Sequence, residues 1–186
     1  LIPDRQEAVT LLEAHVRDGR MRSHSYASEA VMRALARRLG KDEDLWGMAG
    51  LLHDLDIELV EGDLTRHGLE AVRILRDRGY DAEMIDAILR HNETASQLPR
   101  ETDFQHALAA GETITGLITA TAMVQPDRKV ASVKVKSVVK RMKEKAFAAS
   151  VRRENILECE AIGIPLPEFA ELSLAAMCDV HDRLGL

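Results

Sequence analysis

The stretch Ala49-Gly50-Leu51-Leu52-His53-Asp54-Leu55-Asp56 sets a histidine and an aspartate side by side inside an otherwise apolar run. Burying two such groups without partners costs on the order of several kcal/mol, so this run requires something to satisfy them. Just upstream, Leu45, Met48, Ala49 and Leu52 share a stripe at helical spacing behind Asp42 or Asp44 as cap, which puts His53 and Asp54 in a helix's last turn. Adjacent side chains on a helix diverge by about 100°. The pair can therefore share one ion only if that ion lies between their two directions.

Outward from this run, apolar residues recur with helical period almost everywhere, and no segment alternates as a strand would. The expected fold is all-α. Helices are predicted over about 4–19, stopped by Gly19, and 25–39, closed by Gly40. Others are predicted over about 66–78, stopped by Gly79, and from Asp81 to near His91. A loop at 94–103 containing Pro99 then precedes a long helix over 104–124, ended by Pro126. Ala107, Ala109, Ala110, Gly111 and Gly116 let neighbouring backbones approach this helix, which marks it as central. A basic helix over 130–147 and helices over 150–162 and 167–184 complete the expectation.

The chain has 186 residues, 46% apolar and 30% charged, which suits one soluble domain spanning 1–186, with a core at about 23–125 and residues 128–186 packed on it. No apolar stretch approaches the roughly 20 residues needed to span a bilayer, and the beginning shows no signal pattern, so the chain is placed in the cytoplasm with no membrane partner. Cys159 and Cys178 lack CxxC spacing and are read as reduced core thiols. The net charge of −6 conceals a basic segment at 128–153 whose only acid is Glu144. With 3% aromatic residues and an acidic body, nucleic acid is not an expected partner.

His24, His53, Asp54, His67, His91 and Glu112 are the ligand-type residues predicted at helix ends or on the central helix. Several imidazoles and carboxylates from packed helices can surround one divalent ion. His15, His106 and His181 are instead read as hydrogen-bonded structural histidines, and Asp56 and Glu93 as solvated loop acids rather than proton-transfer groups.

Over about residues 23–156 the sequence resembles the HD-domain metal-dependent phosphohydrolase superfamily, in particular its small bacterial single-domain members. His24 in Arg22-Ser23-His24-Ser25 and the Ala49 to Asp56 run match its first histidine and its signature. His67 in His67-Gly68-Leu69-Glu70-Ala71 and His91 in Arg90-His91-Asn92-Glu93 match the additional histidines of its dinuclear branch. Thr115-Gly116-Leu117-Ile118 is intact, but Glu112 stands where the family has aspartate, one methylene shorter. Val135-Lys136-Ser137-Val138 and Lys145-Ala146-Phe147-Ala148-Ala149 extend the likeness.

The resemblance implies an all-α HD-type bundle with additional C-terminal helices. It also implies hydrolysis of a small phosphorylated molecule, a nucleotide being one candidate, by metal-activated water. His24, His53, Asp54 and Glu112 would hold one ion; His67 and His91 would hold a second, with Asp54 bridging and His53 and Asp54 at the reacting centre. Manganese, iron, cobalt, nickel, zinc or magnesium would suit such a site, as one ion or two. Lys136, Lys140 and Lys145 on the basic helix are candidate phosphate contacts, against the alternative of a solvated face. The Glu112 departure leaves a non-catalytic ligand-sensing domain as the competing function. Oxygen chemistry at a di-iron centre, known among relatives, and a homodimer both stay open.

Overall fold

A computed structural model describes all 186 residues as helices and connecting turns, with no strand. Helix α1 is Arg5–His15, α2 Gly19–Leu39, α3 Glu43–Leu52, α4 Leu69–Asp77, α5 Ala82–His91, α6 Glu93–Ser96 and α7 Asp103–Met123. Helix α8 is Val135–Arg141, α9 Arg153–Ile156, α10 Leu166–Asp179 and α11 His181–Leu184, with short 3-10 turns at Val130–Ser132 and Leu157–Ile162. The expected all-α bundle with additional C-terminal helices is what forms. No single helix is long and apolar enough to cross a membrane.

Helix starts follow the acidic caps. The carboxylates of Asp4, Asp42 and Asp81 each accept backbone N–H groups of the first turn that follows them. Asp18 does the same for Arg20 and Met21, so Gly19 opens α2 instead of ending α1. His24 consequently lies within α2 rather than at its start. The helix predicted from residue 66 begins at Leu69, and the predicted loop at 94–103 opens with the single turn of α6.

The basic helix predicted over 130–147 is the largest correction: only Val135–Arg141 is α-helical within it. The guanidinium of Arg153 donates to the carbonyls of Ala148 (2.7 Å), Val151 (2.9 Å), Arg141 (3.3 Å), Glu144 (3.2 Å) and Phe147. Those oxygens are satisfied by one side chain, so the chain winds around Arg153 instead of continuing as a helix. The predicted helix over 150–162 is likewise reduced to α9 and a 3-10 turn.

Forty-six buried residues join into one hydrophobic cluster, with α7 running through its centre and α2 packed on α3 and α7. Close approach is written into two glycines. A Cβ on Gly50 would lie 2.5 Å from the carbonyl oxygen of Ser28, so α3 can press on the α2 backbone only with glycine there. A Cβ on Gly111 would lie 3.0 Å from Met32 Sδ, so α7 packs closely on the α2 side chains there, though less tightly than α3 on the α2 backbone. Both contacts aim the inner ends of α2, α3 and α7 at one point. Cys159 is buried, Cys178 is half-buried, and both are free thiols.

Candidate metal centre

His24 projects from α2, His53 and Asp54 from the end of α3, His67 from the turn before α4, His91 from the last residue of α5, and Glu112 from α7. Two compact groups result. His24, His53 and Glu112 bring one ligand atom each within 4.8 Å of one another, and Asp54, His67 and His91 do the same. The structure thus brings together all six residues singled out from the sequence as candidate ligands.

Each imidazole is held by its Nδ1. His53 Nδ1 donates to the Gly50 carbonyl at 2.8 Å and His91 Nδ1 to the Ile88 carbonyl at 2.6 Å. His67 Nδ1 donates to Asp56 Oδ1 at 2.8 Å. His24 Nδ1 lies 2.9 Å from Thr115 Oγ1. Because the Thr115 hydroxyl spends its proton on the Glu112 carbonyl at 2.6 Å, it must accept from His24. The hydrogen-bond network therefore assigns the proton to Nδ1 and turns every Nε2 toward the cluster.

The Nε2 atoms of His24 and His53 lie 3.1 Å apart, and those of His67 and His91 lie 3.0 Å apart. Asp54 stands between the pairs: its Oδ1 is 3.2 Å from His53 Nε2, 2.9 Å from His67 Nε2 and 3.6 Å from His91 Nε2, and its Oδ2 is 3.4 Å from His24 Nε2. Glu112 Oε2 reaches to 3.8 Å from His24 Nε2. Burial pushes the His53 imidazole down to about 3 and lowers that of His24 as well, each despite the nearby Asp54 carboxylate. At neutral pH, two lone pairs then face each other across 3.1 Å with no proton between them. That arrangement is repulsive alone and favourable around a cation, and borderline nitrogen donors with two carboxylates suit a divalent transition metal. The residues present fit such an ion.

The carboxyl groups differ from one another. Burial would raise Asp54, but His53, the hydrogen bonds of His67 and His91, and His24 outweigh it and hold the acid well below its usual range. Glu112 is driven the other way, up to about 8, by burial and by the charge of Asp54, against the opposing Thr113 hydroxyl. For His67, burial is overcome by its hydrogen bonds to Asp54 and Asp56, which lift it to about 10.

Asp56 corrects the sequence reading, because it is fully buried and not solvated. Besides His67, it accepts the backbone N–H groups of Gly68 (2.8 Å) and Ala71 (2.9 Å) and so fixes the turn that presents His67. Gly68 makes that turn with φ +95°, a left-handed conformation few other residues adopt. Asn92 adds two bonds, to the carbonyls of Leu64 and His67. Asp56 and Thr115 are the positioning residues that sequence reasoning missed; a carboxylate two positions beyond Asp54 in the same apolar run was the available signal. Glu93 is half-buried, with Arg100 3.2 Å away. His15 bonds the Leu11 carbonyl, His106 pairs with Glu158 and His181 with Asp182, all outside the cluster.

His24, Asp54, His67, His91 and Glu112 line a cavity of about 320 Å³ together with Ile57, Leu64 and Arg152, while His53 is fully buried behind them. Lys136, Lys140 and Lys145 are exposed and do not line it. Once the basic segment has wound around Arg153, Arg152 is the cation that reaches the cavity.

A family description, HD domain, matches residues 21–122, more than half of the chain. No curated protein and no solved structure matches it.

Proposed function

This chain belongs to the HD-domain family, and from that premise we propose that it is a metal-dependent phosphohydrolase acting on a phosphate ester of a small molecule. The observation that carries the reading is the pair of His24 and His53 lone pairs facing each other beside an ionised Asp54 that lines an open cavity. His24, His53 and Glu112 would hold one ion and His67 and His91 another, with Asp54 reaching both groups. A bound divalent ion supplies Lewis acidity and lowers the pKa of water.

The protein's own share is orientation and charge. Gly50, Ile88, Asp56 and Thr115 fix the four rings, which limits the reorganisation needed when charge develops. Arg152 lines the cavity with its Nε donating to Glu154 Oε1 at 2.9 Å, which leaves its terminal guanidinium N–H groups for an entering phosphate. Ile57 and Leu64 add apolar surface to the cavity wall. In the overall reaction water oxygen bonds to phosphorus, the ester P–O bond breaks, and the alcohol leaves with a proton from the water.

The test is hydrolysis of p-nitrophenyl phosphate by protein purified without chelators, assayed with manganese, cobalt or iron. Turnover that is abolished by chelation and by His53→Ala is expected; turnover indifferent to both would defeat the reading. Glu112 supports a second reading. A carboxyl group that keeps its proton to about 8 is a weaker ligand than Asp54, and a ligand-sensing domain needs no turnover. An inert native protein that gains activity on Glu112→Asp would favour sensing.

A further inference from the structure

The cavity above the cluster does not end there. A second hollow of about 520 Å³ adjoins it, and His24, Gly116, Ser150 and Val151 line both spaces. Beyond those shared walls the chemistry changes. The second hollow is lined by Ala120, Met123, Ala148, Leu184 and Leu186, and no carboxylate side chain borders it. Arg20 and the hydroxyls of Ser23, Thr119 and Ser150 are its only polar side chains besides His24.

Helix α7 connects the two spaces. Glu112, Gly116 and Ala120 recur every fourth residue, with Met123 one turn on, so they follow one face of the helix. That face leads from the ion cluster into the apolar hollow over roughly 16 Å at 1.5 Å per residue. Gly116 stands at the junction: a Cβ there would lie 3.3 Å from Val151 Cγ2, so Gly116 and Val151 already stand close and a larger side chain would close the boundary between the two spaces. Met123 is 47% exposed although it borders a concave space, an apolar surface offered to something that enters.

We propose that the hollow receives the organic part of the substrate, that this substrate is the phosphate monoester of an apolar alcohol, and that Gly116 determines how much of it passes. The proposal rests on the phosphohydrolase reading and names the substrate class for the same site. Phosphate sits over the cluster near Arg152, and the carbon chain runs past Gly116 toward Met123. A nucleoside is disfavoured because no phenylalanine, tyrosine or tryptophan lines either space to stack on a base. Hydrolysis adds water across the P–O bond and releases the alcohol into the hollow.

The experiment compares kcat/KM for methyl, butyl and hexyl phosphate, glycerol phosphate and adenosine monophosphate. In parallel it compares equilibrium binding of methyl- and hexylphosphonate, which have no ester bond to cleave. Each methylene buried is expected to raise kcat/KM about fourfold, and hexylphosphonate is expected to bind more than about tenfold tighter than methylphosphonate. Gly116→Val, and independently Ala120→Leu in case the first variant does not fold, should bring the hexyl-to-methyl ratio close to one. Equal affinity for the two phosphonates, no binding of hexylphosphonate, or a preference for adenosine monophosphate would overturn the proposal. Ester turnover without chain-length preference removes this proposal alone. A hexyl preference in binding with no ester hydrolysed keeps the hollow as a ligand site and removes the hydrolytic reading beneath it.

Discussion

His24, His53 and Glu112 form one half of the cluster and Asp54, His67 and His91 the other, and although both contain two imidazoles and a carboxyl group, they hold protons differently. In the first half the rings are neutral and the carboxyl keeps its proton up to about 8. In the second, Asp54 is ionised and His67 is charged up to about 10. Part of the cause is the hydrogen bond of His67 to Asp54 within the cluster, and part lies one layer out. His67 leans on a second buried carboxylate, Asp56, whereas His53 and His24 lean on a carbonyl and a hydroxyl. Imidazoles of one residue type thus become different ligands according to the groups each one touches.

Removing the group that both halves share should have the largest effect. Asp54→Asn is expected to lower activity and bound metal by more than about 100-fold, beyond the usual cost of losing an outer partner, as read by turnover and elemental analysis. The two halves separate by pH. A cation entering the second half must displace the His67 proton, so its affinity should climb about tenfold per pH unit from pH 6 to 9. In the first half only the Glu112 proton is displaced, so the climb should flatten above about pH 8. Manganese titrations across that range check both slopes; parallel slopes throughout would erase the distinction.

Next in size, Asp56→Asn takes the charge from behind His67 and should cost about 10–100-fold in metal affinity. It also acts on stability. Burial opposes, but the hydrogen bonds of His67, Ala71 and Gly68 hold the Asp56 acid below its ordinary value. Its contribution is therefore present above about pH 4 and lost as pH falls through the lowered value, so acid unfolding of the ion-free variant should shift to higher pH only if the replacement amide fails to hold the turn. Thr115→Val, which leaves His24 Nδ1 without its neutral acceptor, should cost least, about tenfold, because charge-assisted bonds such as that of His67 are the stronger kind.

The sequence made the inner residues legible and left their supports obscure. His53 and Asp54 stand out because polar groups in Leu51-Leu52 and Leu55 surroundings have no cheap burial, and the caps at Asp4, Asp42 and Asp81 follow from local chemistry alone. Asp56 looks like a loop acid until the turn after α3 folds back on Gly68 and Ala71, a contact between residues 12 and 15 positions apart. The basic segment carries helical periodicity, but Arg153 at its far end takes carbonyls from up to 12 positions back. Gly19 reads as a stop because glycine often is one; the Asp18 carboxylate makes it a start. In each case a tertiary or capping partner overrides a local preference.

The most direct measurement is a binding titration of chelator-stripped protein with manganese, iron, cobalt, nickel and zinc, followed by the same titration on His53→Ala. Saturable uptake of one or two ions, lost or halved in the variant, is the predicted result. A native protein that takes up none of these metals, or a His53→Ala variant that binds them unchanged, would contradict a cation among the facing imidazoles.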